Sequence, residues 1–550
     1  MEILGFINAF DELADTERRL GRKVANFGLV AALLEHGSAD ELHFFLPFQS
    51  AAGPFQEGYA PWLGSERNRQ RVKLLPAVRL PEAVRHLDYL AIHAAELDRY
   101  FPELCHLRNQ AAAQPFPVTC TTHTLNYWAT QVRNVYKVLP GPRPFDAIFC
   151  TSRAARRHLE QAFAAASQGL AGLGLAGAGY GGRLEVVPLG IDTAQFGQVG
   201  REQALHNLGL EPGPVTILYM GRLTASDKCD LVPLLGMLAI LNREQPVRLL
   251  LAGAESGGYG KIIMQTAATV GVQQQVHLRP NFLSEQKADI YAAGDIFLSP
   301  SDNLQETFGL TILEAMASGL PVVASDFSGY RDLVEHGRTG FLIPTLGPSH
   351  YRLMDEAWPL AAERVAALQV SQRTAVDFSA MTAYLGRLVK NPELRAELGR
   401  AGRRRVRERF DWSVVVRLME EHWRRLKDEA RAQAQAPPPP NPLAASLGRV
   451  FGHFFTRAIA PGDRLAPGPL APVFRQGAWA NNPYADLAGL LPPPALELML
   501  TTLEQGGGEL SLAQLGRILE SKIPPEMLEH LALYGLKYGV LRLAGAEGGP

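Results

Sequence analysis

The stretch that most restricts this chain runs from residue 295 to 344. Ile296-Phe297-Leu298 predicts a short apolar strand, and Ser299-Pro300-Ser301-Asp302-Asn303 a polar loop after it. A helix is predicted from about residue 309 to 318. It stops at Gly319, and Pro321 leads into the strand Val322-Val323-Ala324. Glycine just past a helix end with proline soon after is the expected stop signal. The result is a strand–loop–helix–strand unit of the parallel α/β type, and in open sheets of that type ligands bind at the carboxyl edge.

Two glutamates occupy different places in this unit: Glu306 in the loop, Glu314 inside the helix. The amides of Phe308, Gly309 and Leu310 open the helix and lack intrahelical partners, so they offer a cradle to an anion or a hydroxyl, and Gly309 lets a ligand approach the backbone. An ionised glutamate accepts two hydrogen bonds with fixed spacing, which suits sugar hydroxyls. The plainer alternative is a helix N-terminus with a favourably placed acid.

These residues resemble a known family. Pro300-Ser301, Glu306, Phe308-Gly309, Glu314-Ala315-Met316-Ala317, Gly319-Leu320-Pro321-Val322-Val323 and Gly329 fall as in the Glu-x7-Glu signature of retaining glycosyltransferases of family four (glycosyltransferase group 1). The resemblance implies an α/β fold of GT-B architecture, two facing Rossmann-like domains, with Glu306 on a donor sugar and Glu314 on the nucleotide ribose. It implies no metal cofactor, and the chain has no Asp-x-Asp pair.

A chain of 550 residues is too long for one core. The expected division is an acceptor-side domain over 1–197, a nucleotide-sugar domain over 198–385, and terminal helices over 386–430 that return to the first domain. A proline-rich linker over 431–442 and a small, mainly helical, winged-helix-like module over 443–550 complete it. With 47% apolar and 20% charged residues and a net charge of −1, the composition is that of a globular protein without a field for nucleic acid or membrane. Cys105, Cys120, Cys150 and Cys229 show no C-x-x-C spacing and read as reduced, buried thiols. The first residues lack a basic leader, and no apolar run reaches spanning length, so a cytoplasmic location is expected, with peripheral contact at an inner membrane surface at most.

In the second domain, Thr216-Ile217-Leu218-Tyr219-Met220-Gly221-Arg222 is a strand into a glycine turn, with Lys228 six residues after Arg222. Two cations at the carboxyl end of a strand suit a diphosphate, the guanidinium as a fork and the ammonium as a point charge. Solvated surface cations are the alternative, and the match to the family's segment favours the diphosphate. Gly253 ends a further buried strand, and Asn281 of Arg279-Pro280-Asn281 falls where the family holds the base. In the first domain, residues 117–123 form a strand ending at His123, which is similar to the family histidine facing the donor sugar. Residues 8–10 stand where the family usually has a glycine pair. The G-x-G-x-x-G match at Gly172, Gly174 and Gly177 follows a helix and precedes a strand, the reverse of a dinucleotide site, and reads as a surface loop.

The basic run over 403–409 reads as a solvated helix face. Leu447, Val450, Phe451, Phe454, Phe455 and Ile459 lie on one helical stripe, three short helices and a strand follow, and the tail has eight Lys/Arg against nine Asp/Glu. That excludes a basic nucleic-acid footprint and points to a protein or acceptor partner. The expected function is transfer of a sugar from a nucleotide diphosphate sugar to an acceptor (glycan, lipid-linked or protein) with retention. Alternatives are a nucleotide-sugar epimerase or sugar phosphorylase of the same fold, or a non-catalytic nucleotide-sugar-binding scaffold.

Overall fold

A computed structural model describes residues 1–7, 21–97, 100–126, 141–175, 177, 179–255, 257–433, 446–477 and 492–544. Residues 8–10 and most of the proline-rich 431–442 segment lie outside that set. Two compact units form, one of residues 1–47 with 54–441, the other of residues 48–53 with 442–550.

The first unit holds two parallel sheets. Strands β1 (Ile3–Ile7), β2 (Glu41–Leu46), β3 (Val72–Pro76), β4 (Tyr89–Ala94), β5 (Val118–Thr121), β6 (Ala147–Cys150) and β7 (Arg183–Val186) lie in the order β3-β2-β1-β4-β5-β6-β7. Strands β8 (Val215–Met220), β9 (Val247–Gly253), β10 (Val276–Pro280), β11 (Ile296–Ser299), β12 (Val322–Ser325) and β13 (Gly340–Ile343) lie in the order β10-β9-β8-β11-β12-β13. Central strands such as β9 are buried at every residue, because helices cover both faces of a parallel sheet. In both sheets the order reverses beside the first strand. That reversal opens a crevice at the carboxyl ends, between β1 and β4 and between β8 and β11.

Helix α1 (Gly21–His36) follows β1, α2 (Ala60–Leu63) follows β2, and α3 (Arg153–Gly172) begins at Ser152, whose hydroxyl accepts from the Ala155 amide at 3.1 Å. Helix α4 (Leu310–Ala317) links β11 to β12, and α5 (Pro392–Arg409) packs on α4. The basic run on α5 is only partly a solvated face. Arg404, Arg407 and Arg409 are exposed, whereas Arg405 donates to the carbonyls of Leu333 and Asp332, both at 2.9 Å.

Helix α6 (Trp412–Ala432) returns to the first domain and packs on α1 and β4. Trp423 Nε1 donates to Thr119 Oγ1 at 2.9 Å, and Glu420 accepts from the amide and hydroxyl of Ser38, both at 2.6 Å. The chain thus crosses between the domains twice, and the crossings touch. The Ile191 amide donates to the Phe410 carbonyl at 2.9 Å, and the Trp412 amide to the Ile191 carbonyl at 3.0 Å. A short antiparallel pair, β14 (Thr345–Leu346) with β15 (Ala375–Val376), lies outside both large sheets.

In the second unit, α7 (Pro493–Gln505), α8 (Leu512–Leu519) and α9 (Pro525–Lys537) share a core with a three-stranded antiparallel sheet. Its order is β17 (Leu510–Ser511), β16 (Arg464–Pro467), β18 (Leu541–Leu543). The stripe from Leu447 does not form one long helix. A helix spans only Leu447–Phe451, a 3-10 turn follows over Gly452–Phe454, and Phe454 and Phe455 are exposed. All four cysteines are buried and outside any disulfide. Among the described residues no helix is long and apolar enough to cross a membrane.

Candidate active site

The crevice of the second sheet gathers residues from two loops. Gly221 and Arg222 leave the end of β8, Lys228 follows in the same loop, and Glu306 and Phe308 arrive in the loop between β11 and α4. The Lys228 ammonium donates to Glu306 Oε2. Tyr330 donates to the same oxygen at 3.1 Å, and the Phe308 amide to Oε1 at 3.3 Å. Burial acts to raise the Glu306 pKa, but the Lys228 charge and these hydrogen bonds outweigh it and hold the carboxyl below its usual value. Arg222 reaches the same loop, donating to Gln305 Oε1 at 2.7 Å and to the Asp227 carbonyl at 3.1 Å.

Gly309 opens α4 at φ 116°, where an L side chain is strained, and a Cβ there would lie 2.6 Å from the Tyr330 ring. Glycine thus lets Tyr330 reach Glu306. Gly253, at the end of β9, faces the Gly221 backbone, with a built Cβ only 1.7 Å from that carbonyl oxygen. Its place in the crevice is therefore one of close backbone packing. Asn281 braces the neighbouring turn: its amide donates to the Gly253 carbonyl at 2.9 Å, and its Oδ1 accepts from the Glu255 amide at 3.0 Å.

Glu314 lies farther along α4, almost fully buried, with both oxygens engaged. Lys287 donates to Oε1 at 2.5 Å and Tyr291 to Oε2 at 2.7 Å.

His123 follows β5 in the first domain. Its Nε2 lies 3.1 Å from both the Ala95 carbonyl and Asn26 Oδ1. Two acceptors at one nitrogen require the Nε2–H tautomer. Burial, with Arg22 nearby, pushes the pKa down to about 4, so the ring is neutral. The His123 backbone meets the second domain: Thr307 Oγ1 donates to its carbonyl at 2.6 Å. Ser152 Oγ donates to the Thr307 carbonyl at 2.8 Å, and Asp332 accepts from the amide and Nε of Arg153 at 2.6 and 2.5 Å.

A pocket of about 480 Å³ opens beside this seam. Lys287, Leu310 and Glu314 line it on the second-domain side, and α1, Tyr59, Trp62 and the double crossing on the other. Arg222, Lys228, Glu306 and His123 do not line it. Sequence reasoning missed Lys287, Tyr291 and Tyr330, which lie far in sequence from the glutamates they bond. Thr307 lay within the motif, with nothing to mark its hydroxyl as a link between domains. Among the described residues no three His, Cys, Asp or Glu side chains are grouped to hold a metal ion.

Two parallel-sheet domains with a crevice at their switch points define the GT-B architecture. Solved structures agree in fold. A sucrose-phosphate synthase from Thermosynechococcus elongatus superposes with TM-score 0.51 and 19% identity, covering 78% of this chain and all of that one. HepE of Anabaena in complex with UDP gives 0.50 and 16%, covering 76% and 99%. Residues 214–351 match the model of the family described as glycosyl transferases group 1. A D-inositol 3-phosphate glycosyltransferase of Rhodococcus erythropolis is 33% identical over 166 residues, 29% of this chain and 37% of that protein. One of Streptomyces avermitilis is 30% identical over 263 residues, 45% and 49%. The chain spans less than half the length of these curated relatives.

Proposed function

We propose that this chain transfers a sugar from a nucleotide diphosphate sugar to an acceptor hydroxyl, with retention of configuration and without a metal ion. The observation that carries the reading is the meeting of Lys228, from the loop after β8, with Glu306, from the loop after β11, at the switch point of the sheet. Arg222 and Lys228 neutralise the departing diphosphate, and charge stabilisation of this kind in a water-poor crevice is a large contribution to a rate. Glu306 and the amides of Phe308 to Leu310 hold the sugar, and Glu314 takes the ribose hydroxyls once Lys287 gives way. His123 orients the sugar from across the cleft. The bond from the anomeric carbon to the phosphate oxygen breaks as the acceptor oxygen bonds on the same face, and the acceptor proton passes to the departing phosphate. Residue roles and donor class come from the family likeness together with this geometry.

The test is release of nucleoside diphosphate from a panel of nucleotide sugars, without added metal, by the wild type, Glu306→Ala and Lys228→Ala. Slow hydrolysis of one donor, lost in both variants, supports the proposal. Absence of binding to every nucleotide sugar overturns it.

A further inference from the structure

The pocket beside α1 shares Lys287, Leu310 and Glu314 with the donor site, and its first-domain wall is one that the donor does not use. At about 480 Å³ it falls in the size range of small-molecule sites, roughly 300–1,000 Å³. Its first-domain wall is aromatic. Phe27 stacks on Tyr59 with ring centroids 4.8 Å apart and planes 16° from parallel, and Trp62 lies edge-on to Phe27 at 6.0 Å. Trp62 Nε1 donates to Glu35 at 3.1 Å, which fixes the indole plane. Tyr59 is fully buried, yet its hydroxyl has no hydrogen-bond partner. A buried hydroxyl without a partner is costly, and such groups in native proteins call for an explanation. A ligand hydroxyl seated against this wall supplies one.

The charges select among ligands. Apart from the bonded pair Lys287 and Glu314, the described residues lining the pocket include three carboxylates, Glu35, Asp192 and Asp411, against one lysine, Lys23. A phosphorylated or carboxylated molecule would therefore meet net negative charge, whereas an apolar group gains about 25 cal/mol for each Å² it buries on the rings. The pocket also leads towards the reacting end of the site, since Asn26, one of its lining residues, accepts from His123.

Building on the transferase reading, we propose that this pocket binds the acceptor, and that the acceptor is an uncharged amphiphile. Its hydroxyl-bearing head lies at the Asn26 end with one hydroxyl bonded to that of Tyr59, and its alkyl or aryl portion lies on Phe27 and Trp62. This differs in charge from the acceptor named for the inositol 3-phosphate relatives.

The experiment is calorimetric titration of the full chain with octyl glucoside below its micelle concentration, methyl glucoside and glucose 6-phosphate. Tyr59→Phe and Trp62→Ala are titrated in parallel. Octyl glucoside is expected to bind at least tenfold more tightly than methyl glucoside, and glucose 6-phosphate most weakly. Trp62→Ala should weaken octyl glucoside about tenfold. Tyr59→Phe should weaken it threefold to tenfold while raising the Tm of the free protein, because it removes the unpartnered hydroxyl; a purely structural tyrosine would not show both effects. Equal binding of the octyl and methyl compounds, tighter binding of the phosphate, no binding of any probe, or unchanged binding in Trp62→Ala would each overturn the proposal. Titration with nucleoside diphosphates separates the two readings. Nucleotide binding without acceptor selectivity sinks only the acceptor proposal, and selective binding of the amphiphile without nucleotide binding sinks the transferase reading and leaves the pocket a site for an uncharged amphiphile.

Discussion

The hydroxyl of Thr307 donates to the backbone carbonyl of His123 at 2.6 Å, so the loop that carries Glu306 is bonded directly to the loop that faces it. Thr307→Val keeps the shape and removes this bond. One neutral hydrogen bond is worth about 1 kcal/mol, close to a fivefold effect. Donor hydrolysis by the variant should fall about fivefold in kcat with nucleotide affinity unchanged, as read from steady-state rates beside a binding titration. Weaker nucleotide binding with kcat unchanged would show that the bond serves binding alone.

Lys228 and Glu306 form a pair with little exposure, 21% and 7% of their side chains. Removing one partner of a buried pair costs about 3–5 kcal/mol. Glu306→Gln should therefore lower the Tm as well as abolish turnover. The double variant Lys228→Met with Glu306→Gln should recover much of the Tm and none of the activity. Because the Glu306 pKa is depressed in the folded chain, its contribution is present above the ordinary carboxylate pKa and lost as pH falls through the folded value. Calorimetry across acid pH checks this.

Glu314 gives a pair of variants with opposite signs. Its two oxygens are held by Lys287 and Tyr291, so a ribose must displace the ammonium. Lys287→Met should tighten nucleoside diphosphate binding about fivefold, and Glu314→Ala should weaken it about tenfold. If both variants weaken binding, Lys287 is itself a nucleotide ligand.

Asp302 should oppose stability at neutral pH. Burial pushes its carboxyl up to about 6, although Ser371 donates to it at 2.7 Å and the Asp230 amide at 3.2 Å. The folded chain keeps a proton that the unfolded chain releases near pH 4, so this contribution is complete below that pH and disappears as pH rises through 6. About two pKa units correspond to at most roughly 3 kcal/mol. Asp302→Asn, with the Ser371 hydroxyl reversed, should raise the Tm over wild type at pH 7 and much less at pH 4.5. The same difference at both pH values would refute the assignment.

The helix Leu310–Ala317 could be read from the sequence because an apolar run ends at Gly319, which adopts φ 85°. The GT-B class was legible for the same local reason, since the motif is contiguous. The bond from Lys287 to Glu314 was not, because it joins residues 27 positions apart through a turn that carries no signal. Neither was the aromatic wall, since Phe27 lies on α1 while Tyr59 and Trp62 lie at α2, and composition does not encode the packing of the two. Strand Arg464–Pro467 was missed for want of length, four residues ending in proline being too few to show a period of two. The stripe from Leu447 misled in the other direction: helical spacing was present, but glycine at 452 and the exposed Phe454 and Phe455 leave the helix a single turn.

The two domain crossings at Ile191 and Phe410–Trp412 are hydrogen-bonded side by side. A connection two strands wide bends easily about one axis and resists twist and shear. Relative motion of the domains is thereby reduced to a single angle. Ile191, Asp411 and Trp412 also line the aromatic pocket, close to that axis. Any swing about that axis that parts the domains must first break the bond from Thr307 to His123, which latches the crevice.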